Sequence, residues 1–78
     1  MKIEKAFGYA LKQKRLEIGL TQEKLAEKSG ISTRYISKLE CAGQLPNFKY
    51  IQAISTSLGL KPSQFLEEVE KAQEIQQT

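Results

Sequence analysis

A run of side chains in the middle of the chain has the composition of a surface that donates hydrogen bonds. Arg34, Ser37 and Lys38 follow the spacing i, i+3, i+4, which places them on one face of a helix. Cys41 extends the stripe at i+7, and Thr33 lies beside it on the first turn. These donors match the acceptors that bases present in the DNA major groove. An ordinary solvated face is the alternative, but such faces usually mix both charges. The composition therefore favours base reading by Thr33, Arg34, Ser37 and Lys38.

The elements that must position this face are two short helices joined by a tight turn, over residues 21–41. Thr21 and Ser32 have the short, oxygen-bearing side chains that cap helix N-termini. Gly30 lies between them, because so sharp a turn needs a residue that adopts positive φ. The apolar residues that should fix the angle between the helices are Leu25, Ala26, Ile31, Ile36 and Leu39. This arrangement is a helix-turn-helix, whose second helix is held out for the major groove.

Two further helices are predicted on either side of this pair. The first runs from Ile3 to Glu17 and is stopped by Gly19, and the fourth follows an Asn47 cap and is stopped by Gly59. Gly8 interrupts the first helix, which indicates either close packing or fraying there. The apolar stripes are expected to be Phe7, Ala10, Leu11 and Ile18 in the first helix, and Phe48, Ile51, Ile54 and Leu58 in the fourth.

The fifth helix is predicted to begin at Pro62, where the missing amide hydrogen costs nothing, and to end at about residue 73, with 74–78 frayed. Its apolar stripe exceeds what a terminal helix needs to lie on so small a core. This excess favours a homodimer interface, with intramolecular packing alone as the alternative. The residues concerned are Phe65, Leu66, Val69 and Ala72.

Two features beside the reading face suit the DNA backbone. Tyr35 lies at its flank, where the hydroxyl can reach a phosphate or the ring can pack on a sugar. Lys49 and the amides at the start of the fourth helix, which Asn47 caps, suit a phosphate contact. A surface lysine with no role is an equally good interpretation of Lys49.

Length and charge limit the organisation. The chain has 78 residues, enough for one domain, 1–78, with one small core. Residues 1–60 hold ten Lys and Arg against five Asp and Glu, whereas residues 61–78 hold two against four. A basic working surface and an acidic end are therefore expected.

Composition also disfavours several classes of protein. An enzyme is not expected, because the sequence has no His to act as a base and no phosphate-binding G-x-x-x-x-G-K loop. The single Cys41 cannot form an internal disulfide, and without His no zinc site is plausible, so neither metal nor cofactor is expected. Nothing indicates a small-molecule ligand. The sequence shows neither a signal peptide nor an apolar run that could span a membrane, so we expect a cytoplasmic protein.

The same residues resemble those of a known family. The resemblance to the Cro/repressor (xenobiotic-response-element type) helix-turn-helix family extends from Phe7 to about Leu66. It implies an all-α fold, a five-helix lambda-repressor-like DNA-binding domain with the helix-turn-helix in helices 2 and 3. RLEIGLTQEKLA and RYIS are similar to the controller proteins of restriction-modification systems, which are all-helical dimers without an effector domain. The matching positions are Gln22, Leu25, Ala26, Gly30, Ile36, Leu39 and Glu40.

The resemblance implies roles for particular side chains. Gln22 matches a position that contacts the DNA backbone, and Tyr35 matches a tyrosine that lies against the DNA and helps to read its shape. Arg15 and Glu40 match a salt bridge between helices 1 and 3. The base-reading positions of the family match Thr33, Arg34 and Lys38.

We therefore expect a sequence-specific transcriptional regulator, encoded by a bacterium or a phage, that binds a palindromic double-stranded DNA operator as a homodimer. A controller protein is the subtype that the resemblance favours, and RNA polymerase is a further candidate partner. The alternatives are a phage-type repressor and an antitoxin that holds a toxin through its acidic C-terminal helix.

Overall fold

The computed structural model describes residues 2–41 and 43–75, which form five α-helices. The all-α architecture and the helix-turn-helix in the second and third helices are confirmed. The last helix runs two residues beyond its predicted end at 73, so 74 and 75 are helical, and 76–78 lie outside the described residues. The bounds are α1 Ile3–Glu17, α2 Gln22–Ser29, α3 Thr33–Cys41, α4 Phe48–Ser57 and α5 Pro62–Ile75.

Local side-chain chemistry determines where α2, α3, α4 and α5 begin. The side chains of Thr21, Ser32 and Asn47 each accept a hydrogen bond from the backbone amide three residues on, at 3.0, 3.1 and 3.0 Å. All three are the predicted caps. Before α5, the backbone N–H of Lys61 donates to the side-chain oxygen of Gln64 at 2.9 Å, so a residue inside the helix satisfies the amide at its start.

One apolar core lies among all the helices. α1 packs on α3 and α5, α2 packs on α3 and α4, and α4 also packs on α5. None of the helices in the described part of the chain is long and apolar enough to cross a bilayer. The buried apolar residues are Ala6, Phe7, Ala10, Leu11, Leu25, Ile31, Ile36, Leu39, Ile54, Leu58, Phe65, Val69 and Ala72.

Two apolar residues assigned to the core by spacing are outside it. Ile18 is 43% exposed, because α1 ends at Glu17 and the chain turns away before the stripe can continue. Phe48 is 55% exposed, because it occupies the first turn of α4. The buried apolar residues that follow it are Ile54, more than one turn further along the helix, and Leu58 at the C-cap. Helical spacing alone does not reveal where a helix stops lying against the core.

The prediction of a dimer interface on α5 is wrong for three of its four residues. Phe65, Val69 and Ala72 are 0%, 1% and 6% exposed within the single chain, so they offer no surface to a partner. The Phe65 ring packs edge-on against that of Phe7, with centroids 5.3 Å apart and an interplanar angle of 88°. The apolar stripe is instead the base on which α1 lies, and Leu66 is half-buried.

Gly8 marks a point where two backbones come unusually close. A Cβ at this position would lie 2.4 Å from the carbonyl oxygen of Leu39 and 3.0 Å from that of Glu40. No side chain fits there without moving backbone. Gly8 is therefore explained by close packing and not by fraying of α1. The missing side chain allows the C-terminal end of α3 to lie close to α1.

Candidate nucleic-acid interface

The inward face of α3 is held by the core. Ile36 and Leu39 are completely buried, as is Leu25 on α2. Gly30 ends α2 with φ of 73°, which lets the chain reverse within a few residues, and Ile31 fills the corner with 5% exposure. These are the contacts that the sequence predicted, and they fix the angle at which α3 leaves the domain.

The outward face of α3 presents donors without partners in the described part of the chain. Arg34 and Lys38 are exposed, and Thr33 and Ser37 are half-buried. None of their side chains hydrogen-bonds or ion-pairs with another described residue. Cys41 ends the stripe as an exposed free thiol in the last position of the helix. The structure thus brings the four predicted base-reading residues together on one accessible surface.

An ion pair braces the C-terminal end of α3 against α1. The Nε of Arg15 donates to Oε2 of Glu40 at 2.7 Å, and its Nη2 donates to Oε1 at 3.0 Å. The remaining nitrogen, Nη1, donates to the backbone oxygen of Leu20 at 2.8 Å. The side chains of Arg15 and Glu40 are 8% and 1% exposed, so this bidentate pair is largely withdrawn from water. The predicted salt bridge is confirmed.

The surroundings of Arg15 favour its charged form. Hydrogen bonding to Glu40, aided by the carboxylate charge, raises the pKa of Arg15 above its usual value despite the opposing effect of burial. Among the described residues, every buried side-chain nitrogen and oxygen has a hydrogen-bond partner. The fold therefore supplies the partners that keep the buried Arg15 guanidinium charged.

Gln22 joins this network, which the sequence did not indicate. Its Nε2 donates to Oε1 of Glu40 at 3.1 Å, so the first residue of α2 is tied to the end of α3. An amide nitrogen carries two hydrogens, which leaves one for another acceptor. The arrangement is compatible with the predicted DNA-backbone contact and fixes the direction from which Gln22 would make it.

The remaining predicted backbone residues lie around the start of α4. Lys49 is exposed there, and the oxygen of the Asn47 side chain is already used by the cap. Tyr35 is half-buried against the core, and its ring meets that of Tyr50, a residue the sequence analysis did not single out. The sequence feature that could have indicated Tyr50 is that it is an aromatic residue in α4 outside the apolar stripe of that helix. These two rings border an open cleft with Gly30, Ile31 and Ser32.

Comparison with known proteins identifies the family of this arrangement. The Helix-turn-helix family model matches residues 11–65, which include all of α2, α3 and α4. The chain belongs to the helix-turn-helix family of the Cro/repressor type. The search of curated proteins finds no match.

Solved structures of this family share most of the fold. The clp gene regulator ClgR from Corynebacterium glutamicum has a TM-score of 0.89 at 28% identity, covering 97% of this chain and 81% of that one. C.Esp1396I bound to a 25 base pair operator site has a TM-score of 0.84 at 30% identity, with 92% and 95% covered. The restriction-modification controller protein C.AhdI from Aeromonas hydrophila has a TM-score of 0.74 at 30% identity, with 78% and 92% covered.

Proposed function

We propose that this chain is a sequence-specific double-stranded DNA-binding transcriptional regulator that acts as a homodimer on a palindromic operator. The observation that carries the proposal is the outward face of α3, whose donors have no partners among the described residues while the helix itself is firmly held. Membership of the Cro/repressor family supports it, as does the likeness to C.Esp1396I, a restriction-modification controller protein captured on its operator site.

The side chains divide into two groups by what they can contact. Base reading is assigned to the outward face of α3, where Arg34 and Lys38 suit guanine and the hydroxyls suit several bases. Backbone contacts are assigned to the flanks, and these set register without reading sequence. The base-reading group is Thr33, Arg34, Ser37 and Lys38, and the backbone group is Gln22, Tyr35, Asn47 and Lys49.

A homodimer follows from the operator symmetry that this family of folds uses. Two copies related by a two-fold axis would place their α3 helices in successive major grooves, about 34 Å apart. Of the predicted interface residues, Leu66 keeps part of its surface available, so the interface must be built from other exposed side chains around it. Sedimentation of the intact chain over a range of concentrations measures the association.

The finer assignment is a controller protein of a restriction-modification system, expressed in the cytoplasm of a bacterium or from a phage. Near-complete mutual coverage with C.Esp1396I at 30% identity supports this subtype. Adjacent methyltransferase and endonuclease genes would support it further, whereas an adjacent toxin-sized gene would favour the antitoxin. If the dimer activates transcription, it also contacts RNA polymerase, and in vitro transcription from an operator-bearing promoter measures that contact.

Selection of bound sites from random DNA duplexes, at two salt concentrations, tests the proposal. We expect enrichment of a palindrome whose half-sites are one helical turn apart, and a preference that survives at the higher salt. Binding that is equally strong for all sequences and disappears at the higher salt would contradict it. Such a result would leave a non-specific DNA binder with the same fold.

A matched pair of variants makes the selection more informative. Arg34→Ala should relax the preference at one position in each half-site, because it removes a donor that only certain bases can use. Gln44→Ala, at an exposed residue of the loop between α3 and α4, should leave the selected sequence unchanged. Equal selected sequences for Arg34→Ala and the wild type would show that the reading face has been wrongly assigned.

A further inference from the structure

A pair of aromatic rings joins α3 to α4. The centroids of Tyr35 and Tyr50 lie 5.4 Å apart, with an interplanar angle of 56°. This separation is within the range in which aromatic side chains attract one another. Helix α3 packs mainly on α1 and α2, whereas α4 packs on α2 and α5. The ring pair therefore joins two helices that pack mainly on other helices.

The ring pair acts on the end of α3 that the ion pair does not reach. Arg15 grips Glu40 near the C-terminus of the helix. Tyr35 is five residues earlier, about 7.5 Å along the helix axis at the usual rise per residue. Its backbone N–H is capped by Ser32 at 3.1 Å, but that bond leaves the direction of the side chain undetermined.

The direction of the Tyr35 ring matters because of where it lies. It sits at the flank of the outward donors, half-buried, beside the open cleft at the turn between α2 and α3. A tyrosine there can lie over the sugar-phosphate backbone in one rotamer and away from it in another. Tyr50 is 37% exposed and supplies the surface against which one of these rotamers packs.

We propose that Tyr50 is a positioning residue for DNA binding, which holds the Tyr35 ring in the orientation that meets the DNA backbone. Tyr50 acts through Tyr35 and not by touching the operator. The inference rests on the proposed function, since it gives Tyr50 a part in orienting one side chain of the proposed DNA-binding surface. Because the Tyr35 ring is already packed in the free protein, binding does not have to include the entropic cost of immobilising it.

The size of the effect follows from the usual strength of an aromatic pair. Loss of the Tyr50 ring should weaken operator binding by about two- to tenfold. Tyr50→Phe keeps the ring and should bind like the wild type, because the pairing uses the ring faces and edges. Replacing Tyr50 by leucine removes no cationic group, so it should leave the salt dependence of binding unchanged, unlike loss of a phosphate-contacting lysine.

The test is a double-mutant cycle on the selected operator, read by fluorescence anisotropy with the full-length chain. It compares the wild type, Tyr50→Leu, Tyr35→Leu and the double variant, with Tyr50→Phe as the conservative variant. Gln52→Leu, an exposed position on the same helix, controls for a change of surface on α4. Circular dichroism establishes that each variant is folded, and Tyr50→Gln replaces Tyr50→Leu if the latter does not fold.

The expected result is that Tyr50→Leu weakens binding in the wild-type background and has no further effect once Tyr35 is leucine. A loss of the same size in both backgrounds would overturn the inference, because Tyr50 would then act independently of Tyr35. Unchanged binding by Tyr50→Leu, or a loss equal to it in Tyr50→Phe, would overturn it as well. A wild type that selects no operator would instead refute the proposed function, and with it the inference.

Discussion

Replacing Glu40 by alanine removes both carboxylate oxygens that the Arg15 guanidinium uses. Arg15 then keeps a single hydrogen bond, to the backbone oxygen of Leu20, while its side chain is only 8% exposed. Breaking a buried ion pair on one side in this way costs about 3–5 kcal/mol, because a charge is left in the interior without compensation. A domain of this length has a free energy of unfolding of about 4–12 kcal/mol, so a large share of its stability would be lost.

Removing both charges together should cost much less. The double variant Arg15→Met/Glu40→Leu fills similar volumes with apolar atoms, and such replacements are often neutral or stabilising by about 1–4 kcal/mol. Gln22 loses its partner, but it is half-exposed and can bond to water. The double variant should nevertheless bind the operator less tightly, because the bidentate geometry no longer fixes the end of α3.

Urea unfolding followed by far-UV circular dichroism measures these differences. Glu67→Ala is the matched control, since it removes a glutamate whose pair with Lys71, at 3.7 Å, is exposed on α5 and worth about 0–1 kcal/mol. The raised pKa of Arg15 places its titration in the alkaline range, so the contribution of this residue should be complete at neutral pH and lost only at higher pH. A loss for Glu40→Ala no larger than that of the control, or a double variant as unstable as the single one, would refute the reasoning.

Three further outcomes are expected from single substitutions. Gly8→Ala should destabilise the fold, because the added Cβ would lie 2.4 Å from the Leu39 carbonyl oxygen. This clash should outweigh the helix propensity of alanine, which favours the variant by about 1 kcal/mol. Greater stability of the variant in urea would contradict this prediction. Arg34→Ala should cost about 1–3 kcal/mol of operator affinity and relax the base preference at one position. Lys49→Ala should weaken binding to all sequences alike and reduce the salt dependence of binding. Anisotropy titrations on operator and random DNA distinguish the two outcomes. Val69→Ala should lower the free energy of unfolding by about 1.5–3 kcal/mol and leave dimer dissociation in sedimentation unchanged, and the reverse pattern would return this residue to the interface.

Features encoded within a few residues were predictable from the sequence. The caps at Thr21, Ser32 and Asn47 lie where expected because each depends on a bond that spans three residues. The turn at Gly30 and the start of α5 at Pro62 have the same local origin. Apolar spacing likewise identified the inward face of α3, since a short amphipathic helix has only one face that can be buried.

Features that depend on which elements meet were not predictable in the same way. The stripe on α5 indicated that Phe65 and Val69 would be buried, but spacing does not distinguish a partner chain from α1 of the same chain. Gln22 and Tyr50 are similar cases. Their partners, Glu40 and Tyr35, lie 18 and 15 residues away in the sequence, and only the packing of the helices brings them into contact.

Helix α3 has nine residues, too few for stability on its own, so its direction must come from its surroundings. Ile36 and Leu39 hold it by burial, Gly8 allows α1 to pass close beneath its end, and Arg15 grips Glu40 from the side. A small rotation about the helix axis would displace every donor on the outward face, whereas loss of one donor alters one contact. Single substitutions at the supports should therefore weaken all specific contacts together and reduce stability, while substitutions on the face change single base preferences at unchanged stability. Measuring unfolding and base selection on the same variants separates the two groups, and a support variant that changed only one base preference would contradict this division.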